Sequence, residues 1–212
     1  MAETVALELR RRRFARGALR VTTREVAFDF DADGGVERAW LESEPHAHML
    51  VEELMILANE AVGGLLAGRR REALYRVHER PDPQAVLHLL AKLAALEVPT
   101  PAAPDRERLT PGRAAKLAAE TSERVAEYVE QSGRGSEAFP ALVLRALKQA
   151  RYDGRNLGHS GLASPAYAHF TSPIRRYPDL VVHRALLREL GVADEPLPED
   201  LGEAAEHASA QE

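Results

Sequence analysis

Residues 167–184 read YAHFTSPIRRYPDLVVHR. Within this stretch Ser172 is a good helix N-cap, and Pro173 has the fixed φ suited to a first helical position. Arg175 and Arg176 are then expected in the first turn, on a rim where free backbone N–H groups favour an anion. The helix dipole disfavours cations at that end. Two arginines held against this preference point to a negatively charged ligand that offsets the cost. The residues alone also admit a plainer reading, a capped helix whose arginines are solvated. Pro178 biases Tyr177 away from helical angles, so a second helix is expected from Asp179, with Leu180, Leu187 and Leu190 facing the core.

Several stretches, taken together, resemble a known family. GHSGLASPAYAHFTSPIRRYPDL (158–180) and LVLRALKQARY (142–152) occur here, as do MLVEELMILANEAV (49–62) and ALYRVHERP (73–81). RGALRV (16–21) is followed by FDFDADG (28–34). Their order and rough spacing are similar to those of the RNB-domain exoribonucleases, the ribonuclease II and ribonuclease R family. The resemblance covers nearly the whole chain. It implies processive hydrolysis of single-stranded RNA from the 3′ end, with Mg2+ as cofactor and nucleoside 5′-monophosphates as products.

The resemblance also implies roles. Arg175 matches the arginine that contacts the phosphate at the cleavage site, where a guanidinium donates two aligned hydrogen bonds to the charged oxygens. Arg176 has two candidate partners, a neighbouring phosphate or a carboxylate. Glu52, the first of the Glu52-Glu53 pair, is expected at the RNA channel. A carboxylate there can accept from the 2′-hydroxyl that distinguishes RNA from DNA. Tyr167, His169 and Phe170 are expected to stack or hydrogen-bond near the channel floor, with Phe170 the one assigned to the core. His159, in Gly158-His159-Ser160-Gly161, sits beside glycines that permit close backbone approach, and Ser172 completes the RNA-binding set. The Mg2+-binding aspartates of the family lie in an acidic motif upstream of the segment matching RGAL, and that motif has no counterpart in this chain. The isolated polypeptide is therefore expected to turn over negligibly. A missing N-terminal half or a separate subunit is the implied partner. The rival reading is a non-catalytic RNA-binding or interaction module on the same scaffold.

Composition narrows the setting. The 212 residues carry 33 acidic and 28 basic side chains, for a formal net charge of −5. RNA affinity must then come from local basic patches. There is no cysteine, which excludes disulfides and thiolate metal sites. No apolar run is long enough to span a bilayer, and no apolar region follows the N-terminal arginines as a secretory signal requires. A cytoplasmic location is expected.

The chain reads as an α+β fold, a partial RNB domain. Residues 1–41 form a basic helix and a β-hairpin, with Val5, Leu7 and Leu9 on the helix before the run Arg10 to Arg13. That run admits phosphate attraction or a solvated helix end. Asp29, Asp31, Asp33 and Gly34 imitate a calcium loop, but Trp40 stands where its bidentate carboxylate is required, so a hairpin turn is the reading. Residues 42–150 are the helical part. One helix opens at Ser43 and Pro45 and carries an apolar stripe of Leu50, Leu54, Leu57, Ala58, Ala61 and Leu65, with Glu52 and Asn59 as surface polars. Further helices are expected from Pro81–Pro83 to Leu96, over 112–130 and over 138–150, with a proline-rich connection at 98–112. Residues 151–191 hold the phosphate-handling segment and its helix. Residues 192–212 read as a helix that looks cut off.

Overall fold

The structure, a computed structural model, describes residues 2–21, 26–41 and 46–212. Helix α1 (Ala2–Ala15) leads into an antiparallel hairpin of β1 (Val26–Phe30) and β2 (Val36–Leu41). Their register pairs Phe28 with Ala39 and Phe30 with Val36, with an irregularity between Asp29 and Phe30. The Asp31 carboxylate accepts from the N–H groups of Asp33 and Gly35, so the aspartates close a turn, as the sequence predicts. The hairpin has little core of its own, and Val26, Phe28, Phe30 and Val36 are all exposed.

Helix α2 (His46–Gly68) is the long central helix; its expected start at Ser43 and Pro45 lies outside the described residues. The expected apolar stripe is a correction. Leu54 and Leu57 are exposed, and the buried face is Met49, Glu53, Ile56, Asn59, Gly63 and Leu66. Hydrophobicity pointed to the wrong face because polar side chains with buried partners occupy two turns of the right one. The same reversal occurs on α1, where Val5 and Leu7 are exposed while Ala6 and Arg13 are buried.

Strand β3 (Tyr75–Val77) pairs antiparallel with β4 (Arg151–Asp153), placing Arg76 opposite Tyr152. Each strand is three residues long, and β4 gains its ladder only from a strand 76 residues away. Between them lie α3 (Pro83–Ala95), α4 (Pro111–Ser132) and α5 (Ala138–Arg145). The Asp82 side chain caps α3 through Gln84 N–H, with Pro83 following; Thr110 caps α4 through Arg113 N–H, with Pro111 following. Helix α4 ends on Gly133 at φ +67°, the left-handed conformation that glycine adopts without strain. Helices α6 (Tyr177–Glu189) and α7 (Leu201–Ala210) complete the chain.

Two bodies of core result. Leu89, Leu93, Val125, Phe139 and Val143 join α3, α4 and α5. Leu66, Tyr75, Val77, Ala168, Val182 and Ala185 join α2, the β3–β4 ribbon and α6, with Leu74, Tyr152, Val181 and Ala205 extending this layer to α7. Helix α6 thus faces inward through Val181, Val182 and Ala185, whereas Leu180 and Leu190, expected in the core, are exposed. One contact fixes the rest of the site: a Cβ on Gly63 would meet Ala168 N at 2.9 Å. Glycine therefore lets the 167–170 backbone lie directly on α2.

Candidate functional site

Residues 171–176 form a turn, not the expected helical first turn, and the reading of Ser172 as an N-cap is corrected. The Ser172 carbonyl, not its hydroxyl, closes the turn by accepting from Arg175 N–H at 3.3 Å and Arg176 N–H at 3.1 Å. Arg176 is extended (φ −126°, ψ 116°), and α6 starts at Tyr177 with Pro178 in its first turn. The organiser is Asp179, a fully buried carboxylate. It accepts from Arg176 Nε and Nη2, each at 2.8 Å, and from Ser172 N–H at 2.8 Å. A carboxylate in the first turn of α6 also suits the helix dipole. Of the two partners open to Arg176, the fold supplies the carboxylate and leaves Nη1 uncommitted.

Arg175 is different. Its side chain is exposed and makes no ion pair among the described residues. Both arginines line a groove of about 910 Å³ whose other walls include Tyr152, Tyr177, Glu203 and Glu212. Glu212 pairs with Arg76, whose guanidinium lies 4.9 Å from the Tyr152 ring centre.

Behind the turn runs a row of rings. His78 and His159 are 5.2 Å apart between centres, His159 and Tyr167 5.2 Å, Tyr167 and His169 5.8 Å, and His169 and Tyr152 5.6 Å. All four contacts are edge-on, the geometry that ring quadrupoles favour. Tyr152 hydroxyl and His169 Nδ1 hydrogen-bond at 2.8 Å. Burial above all, and then the neighbouring His78 and Arg76, lowers His159 to about 3. Burial, followed by the charge of Arg176, lowers His169 to about 4. Burial likewise raises Tyr152 to about 12, with Glu212 adding to the shift. Near neutral pH these rings are uncharged, so they pack and hydrogen-bond; neither histidine is a proton donor there.

The row is tied to α2 by Asn59, a correction to its reading as a surface polar. Asn59 is only 2% exposed. Its Nδ2 donates to Tyr167 Oη at 2.9 Å, and its Oδ1 accepts from Phe170 N–H at 2.9 Å. Phe170 stacks on His183 with ring centres 4.1 Å apart, and His183 Nε2 bonds the Phe170 carbonyl at 2.8 Å. Phe170 packs against the core, as expected. In the Gly158–Gly161 segment a Cβ at Gly161 would meet His78 Nδ1 at 2.7 Å, and Gly158 holds φ +77°, so glycine is required at both positions.

Glu52 stands apart from the arginine turn. It is half exposed and lies 3.5 Å from Arg13 Nη2, while its neighbour Glu53 is buried and pairs with Arg13 directly. The arginine run of α1 is largely matched with acids: Arg11 and Arg12 reach Glu8, Arg13 reaches Glu53, and Arg16 reaches Glu60. Lys148 and Arg151 both pair with Glu79.

The acids around Arg175 do not fit a magnesium site. Asp179 is held by Arg176 and Ser172, Glu212 pairs with Arg76, and Asp200 caps α7, while Glu199 and Glu203 also line the groove. Among the described residues no three His, Asp or Glu side chains are grouped to hold a metal. Nor, among those residues, is any helix long and apolar enough to cross a membrane.

A clamped loop thus presents one open guanidinium to a groove, on a mixed α+β scaffold. The sequence profile of the RNB domain matches residues 1–191, and the chain belongs to that family. It is 38% identical over 171 residues to ribonuclease R of Escherichia coli, covering 81% of this chain and 20% of that protein. It is 40% identical over 179 residues to ribonuclease R of Thermotoga maritima, covering 84% of this chain and 24% of that protein. The fold matches Mycoplasma genitalium RNase R, solved with ribose-methylated single-stranded RNA, at a TM-score of 0.83 and 26% identity, over 99% of this chain and 32% of that one. The chain thus spans about a fifth to a quarter of the curated relatives.

Proposed function

We propose that this chain is the phosphate-handling part of a 3′-to-5′ exoribonuclease acting on single-stranded RNA, releasing nucleoside 5′-monophosphates. One observation carries the reading: Arg175, unpaired and exposed, lines the groove at the end of a loop held by Asp179 and Asn59. A guanidinium fixed there donates to non-bridging phosphate oxygens as charge builds on them. Arg176 positions the loop through Asp179. Tyr167 and His169 form the neutral ring floor behind it. Glu52 is the candidate reader of the ribose 2′-hydroxyl, tested by competition between ribose and deoxyribose oligomers. Magnesium activation of water belongs to the complete enzyme. Because no three His, Asp or Glu side chains are grouped to hold a metal among the described residues, residues 1–212 alone bind RNA without hydrolysing it.

The test is direct. Purified 1–212 binds a labelled oligouridylate with affinity that falls steeply as salt rises. Arg175→Ala lowers that affinity about tenfold, the loss of one charge-assisted contact. Release of nucleoside monophosphate by 1–212 with added magnesium, abolished by Arg175→Ala, overturns the inactivity. Absence of any RNA binding at low salt overturns the reading itself.

A further inference from the structure

A second cavity, about 790 Å³, opens where the start of α4 meets the 156–165 segment. Arg16, Arg80, Arg113 and Lys116 line it, together with Asn156 and His159, and none of its lining residues is acidic. In a chain with more acids than bases, that segregation stands out. Elsewhere the cations are mostly matched: those of α1 with Glu8, Glu53 and Glu60, Lys148 with Glu79, Arg176 with Asp179. Here Arg80, Arg113 and Lys116 are exposed and make no ion pair among the described residues. The one side-chain bond of Arg113 is to the Arg108 carbonyl at 3.2 Å, which aims the guanidinium without neutralising it. A Cβ on Gly112 would lie 3.5 Å from Arg80 Nη1, so the Arg80 guanidinium is stationed over the first turn of α4. Like charges gathered around one concavity repel one another, and a bound anion relieves that repulsion.

We propose that this cavity is a second polyanion site, separate from the Arg175 groove, that takes backbone phosphates of an RNA strand. Arg80, Arg113 and Lys116 supply the charge, and the 156–165 segment opposite them is held by its own bonds, with Asn156 bridging Gly158 N–H and the Pro165 carbonyl. The ring row runs from His78 and His159 at this cavity to Tyr152 at the Arg175 groove, so one rigid spine carries both sites. Three solvated cations on a strand's phosphates fix no base identity, so the site holds RNA without reading its sequence. The proposal rests on the RNA reading above but uses different side chains, so the two can fail separately.

The experiment is a salt titration of labelled oligouridylate binding to residues 1–212, comparing the native chain, Arg175→Ala and the triple change Arg80→Ala, Arg113→Ala, Lys116→Ala. The triple change is expected to weaken binding at least tenfold and to flatten the slope of log affinity against log salt by about 2, the release expected from three phosphates of a single strand. The exchange Arg113→Lys with Lys116→Arg keeps the slope. Unfolding temperatures of all variants are expected within a few degrees, because the altered side chains are exposed. Competition by inorganic phosphate and by uridine monophosphate separates the sources of the phosphate. If either competes as well as the strand on a per-phosphate basis, the site is one for free phosphate and the strand assignment is overturned. RNA binding with an unchanged slope in the triple variant overturns the second site and leaves the Arg175 reading standing. Loss of the slope only in Arg175→Ala does the same.

Discussion

Two arginine-bearing regions of this chain put similar side chains to opposite uses. At the 171–176 turn, Arg176 is spent internally: its guanidinium forks onto a buried carboxylate that also holds Ser172 N–H, and only Arg175 remains for a ligand. At the start of α4, Arg80, Arg113 and Lys116 stand over a cavity without any carboxylate in its wall. The first region carries one unpaired charge; the second carries three, on a helix start packed through Leu109, Ala114 and Ala118. The arginine doublet, the most conspicuous feature of the sequence, is thus half structural, and the stronger local charge sits among residues that form no motif. Whether a cation serves a ligand or the fold depends on where the nearest acid lands.

That contrast can be broken most severely at Asp179. Asp179→Asn removes the charge facing Arg176, and leaving one member of a buried pair alone costs about 3–5 kcal/mol. In a chain of this size that lowers the unfolding temperature by roughly 10 °C. A shift under 2 °C by calorimetry would show that the pair does not organise the turn. Glu53→Gln, which strands Arg13 between α1 and α2, is expected to act in the same direction.

Next comes Asn59→Leu. It removes the partners of Tyr167 Oη and Phe170 N–H in a buried setting, at about 2–3 kcal/mol. RNA affinity should fall with it, because the ring floor and the Arg175 loop lose their tie to α2. Stability loss with affinity unchanged would separate the tie from the site.

An intermediate effect is expected from pH. His159 and His169, lowered to about 3 and about 4, are neutral in the folded chain at pH values where the unfolded chain, titrating near 6.5, takes up protons. The unfolded state therefore binds more protons below pH 6.5, and their contribution to stability is complete above that pH and lost as pH falls toward 4. Each group adds up to about 1.4 kcal/mol per pH unit across this window. Thermal melts between pH 7 and pH 4.5 should show the decline, and His159→Asn with His169→Gln should flatten it. An unchanged slope in the double variant would mean that other groups govern the acid limit.

The smallest effect is reserved for the face of α2 that the sequence mislabels. Leu57→Asn is expected to change stability by less than about 0.5 kcal/mol, whereas Ile56→Ala, one residue away on the buried face, costs about 2–4 kcal/mol. Comparable losses from both would restore the original stripe.

Much of the local grammar was readable: the Asp31–Gly35 turn, the helix start at Pro83 and the glycines beside His159 are each decided within a few residues, whereas the Ser172 cap was not. Even the Arg176–Asp179 pair lies at a spacing of three that a sequence can disclose. The motif string was sufficient to place the chain in its family and to single out Arg175. Four things only the tertiary structure decided: the buried faces of α1 and α2, the β3–β4 ladder, the tie from Asn59 to Tyr167, and the gathering of Arg80 with Arg113 and Lys116. Each joins residues distant in sequence, and each turns on a polar group finding a buried partner or on cations being left without one. Hydrophobic periodicity registers neither outcome, because the energy of a charge depends on the solvent and counter-charge around it, and those are set when the chain has folded.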